Sequence, residues 1–177
     1  MKLKQILNDY SIKEKIHSIS TDNAKSMVTA MDIFKNQLID FTDVVHIRCA
    51  AHILNLIAKE CINDENFKKA IEKIRHFCKK IHCSSANQGD LKRFCEENSE
   101  TYNKIVMDIE IRWNSTFDML RSALKMKKSI TFFSSYFTSR SQSSNSHAQL
   151  EEIDWTLTEE IIDLLEPLNQ GMILVKL

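Results

Sequence analysis

The scarcity of glycine and proline constrains the fold of this chain more than any other feature of its sequence. Only two glycines and one proline occur in 177 residues. Architectures built from many tight turns, such as β-sandwiches, need these residues at short intervals. Apolar residues also recur at helical spacing over most of the chain. The sequence therefore predicts a mainly helical protein.

Two short runs near the start of the chain are typical of β-strands. Residues 16–21 alternate apolar and polar side chains, and residues 44–48 are rich in β-branched ones. The segment between them carries apolar residues at helical spacing, and a further helix is predicted over residues 3–10. A strand–helix–strand order favours a right-handed crossover between parallel strands. We therefore expect a small α/β part ahead of the helical region.

After Arg48 the pattern is helical throughout. It predicts helices over residues 50–61, 67–81 and 91–95, the last after a break at residues 87–89. A fourth helix starts at Trp113 and can run on through Phe133. The final helix is predicted to start at Thr158 and to be limited or kinked by Pro167. The serine-rich segment 139–150 is predicted to be a flexible loop.

The charge distribution and the cysteine content indicate which binding partners and which cellular compartment to expect. The formal charge is zero, but residues 112–128 carry five basic and one acidic residue, whereas residues 151–166 carry seven acidic and none basic. A polyanion would therefore meet the middle of the chain. The five cysteines are odd in number and follow no secretory signal, which favours free thiols in a reducing compartment. No apolar run approaches the ~18–20 residues that cross a bilayer.

Four stretches occur in a specific order: residues 20–24 (STDNA), 46–57 (HIRCAAHILNLI), 108–120 (DIEIRWNSTFDML) and, more weakly, 155–167. Together they resemble hAT-family transposases and the host proteins domesticated from them, which often carry a BED zinc finger upstream. The resemblance implies a ribonuclease-H-like core with three metal-binding carboxylates and a helical domain inserted between the second and third. Residues 1–48 would be part of that core. Residues 49–177 would be the start of the inserted domain.

Asp22 is the second carboxylate by this resemblance, and it would bind Mg²⁺ or Mn²⁺. The first aspartate is expected upstream of Met1 and the catalytic glutamate beyond Leu177. We therefore expect the chain to be catalytically incomplete and to need no cofactor by itself. The residues alone also allow a different role for Asp22, because aspartate between a strand and a helix is a preferred helix N-cap.

Cys49 and His52 have the spacing of half a zinc site. A structural zinc ion needs four ligands, which His76, Cys78, His82 and Cys83 could complete. The alternative is that the cysteines are simply buried, as cysteine often is. By the resemblance, His52 instead supports the neighbouring active site.

Arg112 and Trp113 also have two interpretations. Tryptophan at the head of an amphipathic helix is commonly a core residue. The resemblance implies that the pair faces DNA, with the indole stacked on an unpaired base and the guanidinium on phosphate. Further phosphate contacts are then expected from the basic residues that follow, Arg121, Lys125, Lys127 and Lys128. The lysine-rich helix 68–80 is either a solvated face or another contact with the DNA backbone.

The leading hypothesis is a nuclear, hAT transposase-like DNA-binding protein. An intact relative would cleave DNA at transposon ends and transfer strands with metal assistance. DNA is the expected partner, and homo-oligomers would form through segments outside this chain. Two alternatives stay open: a domesticated, non-catalytic protein used for DNA binding or protein assembly, and the product of a decayed gene.

Overall fold

A computed structural model describes residues 2–37, 44–140 and 149–175 of the chain. Within these ranges the protein is mainly helical and contains one two-stranded parallel sheet, as predicted. The elements are α1 (Lys2–Asp9), β1 (Ser18–Thr21), α2 (Lys25–Gln37), β2 (Val45–Arg48), α3 (Ala50–Ile62), α4 (Glu65–His82), α5 (Ser85–Glu97), α6 (Trp113–Leu124), α7 (Lys127–Arg140) and α8 (Glu152–Val175). None of the described helices is long and apolar enough to span a membrane.

The first compact unit comprises residues Met1–Leu54. Strands β1 and β2 pair in parallel with Ser18 opposite Val45, which confirms the predicted strand–helix–strand crossover. Its small core contains Leu7, Met31, Phe34 and Val44. That these two strands belong to a ribonuclease-H-like core stays a prediction.

The second compact unit comprises residues Asn55–Leu177, so the division falls within α3. Helix α4 shows why this unit is helical, because its apolar residues recur three and four positions apart along one face. These residues are fully buried: Ala70, Ile71, Ile74, Phe77, Cys78 and Ile81. Burying each large aliphatic or aromatic side chain of this face contributes about 1.5–3 kcal/mol. Helices α5 to α8 supply most of the rest of the same core, together with Ala58 of α3 and residues of the connecting segments such as Ile105 and Leu150.

Helix α5 begins earlier than predicted. The sequence suggested a break at residues 87–89, but the helix starts at Ser85 and continues through Gly89. The Ser84 hydroxyl caps it by accepting a hydrogen bond from the Asn87 amide (3.3 Å). The Asn87 side chain donates to the Lys80 carbonyl (2.9 Å) and thereby holds the end of α4. Polar residues that resemble a loop in sequence are here the capping groups of a helix.

Helix α8 also begins earlier than predicted and passes through its proline. It starts at Glu152, and the Asp154 carboxylate accepts the Glu151 amide at its first turn (2.9 Å). Thr158, the predicted start, is buried inside the helix. Pro167 removes one helical amide donor, which ordinarily breaks a helix. The helix continues because side chains on both sides of Pro167, among them Leu165 and Leu168, pack against the core.

The predicted continuation of α6 through Phe133 is wrong. Helix α6 ends at Leu124 and α7 begins at Lys127. The Glu100 carboxylate satisfies the new helix terminus by accepting the amides of Lys128 (3.1 Å) and Ser129 (2.9 Å). The sequence between α6 and α7 contains no glycine or proline that would indicate a break. The cap of α7 comes instead from a carboxylate distant in sequence.

The predicted loop 139–150 is wrong at its start, while residues 149 and 150 are outside any helix or strand, as predicted. Ser139 and Arg140 belong to α7. Leu150 is buried, and its amide donates to the Ser134 hydroxyl (3.2 Å). The rest of the predicted loop, residues 141–148, lies outside the described residues.

Candidate nucleic-acid interface

Asp22 directly follows β1 at the carboxyl edge of the sheet. Its side chain is exposed, and one oxygen accepts the Ala24 amide (3.2 Å). Because α2 begins only at Lys25, this bond shapes the turn ahead of the helix, as aspartate often does. The Thr21 hydroxyl lies 2.8 Å from Nε2 of His46 on the neighbouring strand. Asp22 is therefore accessible to a ligand and is held by its turn.

Cys49 and His52 follow β2 at the same edge of the sheet. Thr21 pairs with Arg48, and the Cys49 amide donates to the Thr21 carbonyl (2.9 Å). His52 lies in the first turn of α3 and is half-buried. The carboxyl ends of parallel strands are the usual ligand-binding edge of such sheets. The topology thus brings Asp22 and the Cys49–His52 segment to one edge.

The described residues contain no cluster of side chains that could hold a metal ion by itself. No three His, Cys, Asp or Glu side chains converge anywhere in residues 2–37, 44–140 and 149–175. Magnesium prefers near-octahedral oxygen coordination and usually takes one or two carboxylates, while two-metal catalysis needs a shared set of them. Asp22 alone does not form such a set.

Arg112 lines an open pocket of about 500 Å³ in the second unit. It is the N-cap residue of α6, its side chain makes no capping hydrogen bond, and it is exposed. The pocket, here called the Arg112 pocket, is lined by Asn55, Ile111, Arg112, Asn114, Ser115, Asp118 and Asn169. Asn114 donates to the side-chain oxygen of Asn169 (3.1 Å) and so links α6 to α8. The pocket wall therefore contains one guanidinium, three side-chain amides, one hydroxyl and one carboxylate.

A hydroxyl and a buried ion pair position the segment that carries Arg112. The Ser115 hydroxyl accepts the Ile109 amide (2.8 Å) and donates to the Arg112 carbonyl (2.7 Å). Residues 109–112 are thereby fixed against the first turn of α6.

The ion pair joins Arg75 of α4 to Asp108, whose side chain is 2% exposed. Two of the three guanidinium nitrogens, Nε and Nη2, donate to the carboxylate, and the Nη2 bond is 2.7 Å long. Thr116 of α6 donates to the same carboxylate (3.0 Å). The hydrogen bond and the charge of Asp108 raise the pKa of Arg75 against the lowering effect of burial, which is the largest single influence. Asp108 therefore ties the segment before Arg112 to two helices.

Trp113 is a core residue in this structure. Its side chain is 2% exposed and belongs to the apolar cluster of the second unit. Its indole N–H is buried without a hydrogen-bond partner among the described residues. The structure thus favours the core alternative, because a covered ring presents no face to a base. Stacking on DNA stays a prediction that requires Trp113 to become uncovered.

The basic residues after Arg112 occupy different surroundings. Arg121 is 55% exposed and lies 4.0 Å from Glu166. Lys125 and Lys128 are exposed. Lys127 instead contacts Glu152 (2.6 Å) and Glu159 (3.4 Å), and the hydrogen bond to Glu152 is the main cause of its raised pKa.

These contacts change the predicted set of phosphate ligands. Lys127 and Lys128 lie in the first turn of α7 and not on the helix of Arg112. Because two carboxylates neutralise Lys127, we expect little phosphate binding from it. Arg121, Lys125 and Lys128 keep ammonium or guanidinium groups within reach of solvent.

Three polar residues that line the Arg112 pocket were absent from the predicted site. Asn55 and Asn169 are 114 positions apart in the chain and line the pocket only because α3 and α8 both border it. Asn55 lies within the motif at residues 46–57, which does not connect it with Arg112, and no local signal identifies Asn169. Asn114 directly follows the Arg-Trp pair, and its neighbourhood in sequence was the one available signal.

A family model described as the ZBED1 RNase-like helical domain matches residues 47–164. The chain is 32% identical to the Putative AC transposase of Zea mays over 133 residues, 71% of this chain and 16% of that protein. It is 27% identical to Zinc finger BED domain-containing protein RICESLEEPER 3 of Oryza sativa subsp. japonica, over 67% of this chain and 17% of that protein. It is 26% identical to the Putative transcriptional regulator tpeD of Talaromyces stipitatus, over 93% of this chain and 22% of that protein.

The chain thus spans about a sixth to a fifth of the length of these curated relatives. No solved structure matches it significantly.

Proposed function

Because the chain belongs to the ZBED1 RNase-like helical domain family, we propose that it holds DNA as part of a hAT transposase-like protein. The resemblance inferred from its motifs is confirmed by relatives that are named as AC transposase and as RICESLEEPER proteins. A nuclear location follows from this proposal, since such a protein meets its substrate there. The proposed DNA contact is the Arg112 pocket.

The observation that carries this proposal is the guanidinium of Arg112. It is exposed, makes no capping hydrogen bond to α6, and lies in a pocket with amide and hydroxyl groups. Arginine donates paired hydrogen bonds to phosphate oxygens. The Asn114 side chain adds a neutral donor of the kind that commonly accompanies phosphate binding, because its bond to Asn169 uses only one of its two N–H groups. The negative charge of Asp118 on the pocket wall repels phosphate groups from that side of the pocket. One phosphate group near Arg112, with sugar or base edges against the amides, fits this arrangement.

Exposed basic residues extend the proposed contact along α6. A helix of 12 residues is about 18 Å long, which corresponds to roughly five base pairs along a DNA axis. Arg112 lies at one end of α6, and Lys125 is the C-cap at the other. A duplex beside this helix would place separate phosphates near the two ends.

The role proposed for Trp113 is to position Arg112 through burial. The indole anchors the first turn of α6 in the core, directly after the guanidinium-bearing residue. Asp22 and His52 are proposed to lie at the active-site edge of the intact protein, where a metal ion such as Mg²⁺ would supply electrophilic assistance to phosphodiester cleavage. Asp22 would then provide one of several carboxylate ligands.

A matched pair of arginine variants tests the proposal. Arg112→Gln should weaken binding of the full chain to duplex DNA about 10- to 150-fold, because a charge-assisted contact of about 1.5–3 kcal/mol is lost. The control is Arg93→Gln on α5, where the arginine is 54% exposed but already pairs with Asp90 and Glu97. Fluorescence anisotropy with labelled DNA measures both. Equal losses for the two variants would mean that binding depends on net charge alone and would refute an Arg112 site.

A second candidate function is DNA binding without cleavage, in a domesticated protein. The observation that favours it is the match to a protein named as a transcriptional regulator, which covers 93% of this chain. The two functions differ in chemistry. Metal-dependent cutting of transposon-end DNA by the protein that contains this chain would support the transposase, and binding without cutting would support the regulator.

A further inference from the structure

A second pocket lies where α4 ends and α5 begins, and it shares no residue with the Arg112 pocket. Its volume is about 370 Å³, within the range of about 300–1,000 Å³ usual for small-molecule sites. We call it the α4–α5 pocket. It is lined by His76, Lys79, Lys80, Cys83, Ser84, Asn87 and Phe137.

The α4–α5 pocket carries positive charge without a counter-charge in its wall. Lys79 and Lys80 both line it, and no carboxylate does. Neither lysine forms an ion pair with a carboxylate among the described residues. The start of α5 is partially positive and the end of α4 is partially negative, so the two helix ends offset each other and the lysines supply the positive charge. An anion entering the pocket would therefore meet two ammonium groups that no described carboxylate neutralises.

The pocket also has an aromatic wall. Phe137 of α7 is half-buried, and its ring stacks on that of Phe133 (5.9 Å between centroids). The ammonium of Lys80 lies 5.4 Å from the centre of the Phe137 ring. The Asn87 side chain borders the same space and is held by its bond to the Lys80 carbonyl (2.9 Å). Cationic, amide and aromatic groups are thus held close together.

We propose that the α4–α5 pocket binds a nucleoside phosphate, with the phosphate on Lys79 and Lys80 and the base against Phe137. The lysines provide point charges for the phosphate, the aromatic ring provides a surface for a flat apolar group, and the Asn87 amide can hydrogen-bond to a base edge. Either a free nucleotide or an unpaired nucleotide of a nucleic acid carries this chemistry. The site shares no residue with the Arg112 pocket, and its test does not depend on DNA binding at that pocket.

The alkylation rate of Cys83 can report whether a ligand occupies the pocket. Its thiol is exposed and lines the cavity, whereas half-buried Cys61 on α3 does not line it. The full chain is treated with iodoacetamide, and alkylation of each cysteine is followed by peptide mass spectrometry. The added probes are deoxyadenosine 5′-monophosphate, deoxyadenosine and a single-stranded deoxyadenosine oligonucleotide.

We expect deoxyadenosine 5′-monophosphate, the oligonucleotide or both to slow alkylation of Cys83 but not of Cys61. Protection by the monophosphate identifies a free nucleotide as a ligand, and protection by the oligonucleotide alone identifies a nucleic-acid source. Lys79→Gln and Lys80→Gln should each raise the half-protecting concentration about tenfold. The control variant Lys69→Gln, 73% exposed on the same helix, should leave it unchanged.

Three outcomes overturn the proposal. In the first, neither phosphate-bearing probe protects Cys83. In the second, deoxyadenosine protects Cys83 as well as deoxyadenosine 5′-monophosphate does. In the third, the Lys69 variant weakens protection as much as the Lys79 and Lys80 variants do. The first denies a nucleotide site, and the second denies a role for phosphate. The third shows that protection depends on the total positive charge of the protein and not on the lysines of the pocket.

Discussion

Replacing Trp113 tests whether its side chain packs in the core of the second unit. The side chain is 2% exposed, so Trp113→Ala removes a whole buried ring system from the core of the second unit. Truncating a buried tryptophan costs about 3–5 kcal/mol. For a chain of this length each kcal/mol lowers the melting temperature by about 2–4 °C, so a fall of about 6–20 °C is expected.

A comparison with the other tryptophan sharpens the test. Trp155 is equally buried, but its indole N–H donates to the Thr131 hydroxyl (2.8 Å), whereas that of Trp113 has no partner among the described residues. Phenylalanine keeps a ring and removes the N–H at either position. Trp155→Phe should therefore cost about 1 kcal/mol more than Trp113→Phe, the usual net value of one hydrogen bond.

The assay is urea unfolding followed by circular dichroism, because tryptophan fluorescence changes with the substitutions themselves. The free energy of unfolding is compared for the alanine and both phenylalanine variants. A loss below about 1 kcal/mol for Trp113→Ala, typical of surface substitutions, would refute the core position. Trp113→Phe that is costlier than Trp155→Phe would refute the hydrogen-bond assignment.

Three further predictions concern stability. Asp108→Asn removes the counter-charge of Arg75 inside the protein and should cost about 3 kcal/mol in urea unfolding; a cost under 1 kcal/mol would contradict the ion pair. Ser84→Ala should cost about 1 kcal/mol through loss of the α5 cap, while Ser85→Ala should cost much less. Burial raises the pKa of the Cys78 thiol from 9.0 to about 12. The unfolded chain therefore ionises first, and the free energy of unfolding should fall as pH rises from about 9 towards 12, a slope that Cys78→Ala should reduce.

Elements defined by periodicity were predictable from the sequence. The strand-like run at residues 44–48 and the apolar spacing of α4 each follow from a repeat that extends over several residues. Helix ends were less predictable, because they depend on single polar side chains. Asp154 caps α8 from within an acidic run, and Glu100 caps α7 from about 28 positions away. Neither arrangement leaves a pattern in the local sequence.

The candidate interface shows the same limit. Arg112 was identified from its motif, and the structure places its side chain in an exposed pocket. The motif could not show that Trp113 beside it is buried, because the same apolar spacing serves both a core residue and a DNA-stacking one. Asn55 and Asn169 come from helices at the two ends of the second unit. Such partners follow from the packing of α3, α6 and α8, which local spacing does not encode.

Mapping where DNA protects the backbone tests the central claim most directly. Amide hydrogen exchange of the full chain is measured by mass spectrometry, with and without duplex DNA at low salt. We predict slower exchange in residues 109–116 when DNA is bound, and loss of that effect in Arg112→Gln. DNA binding that leaves exchange at residues 109–116 unchanged would contradict the Arg112 pocket as the DNA contact.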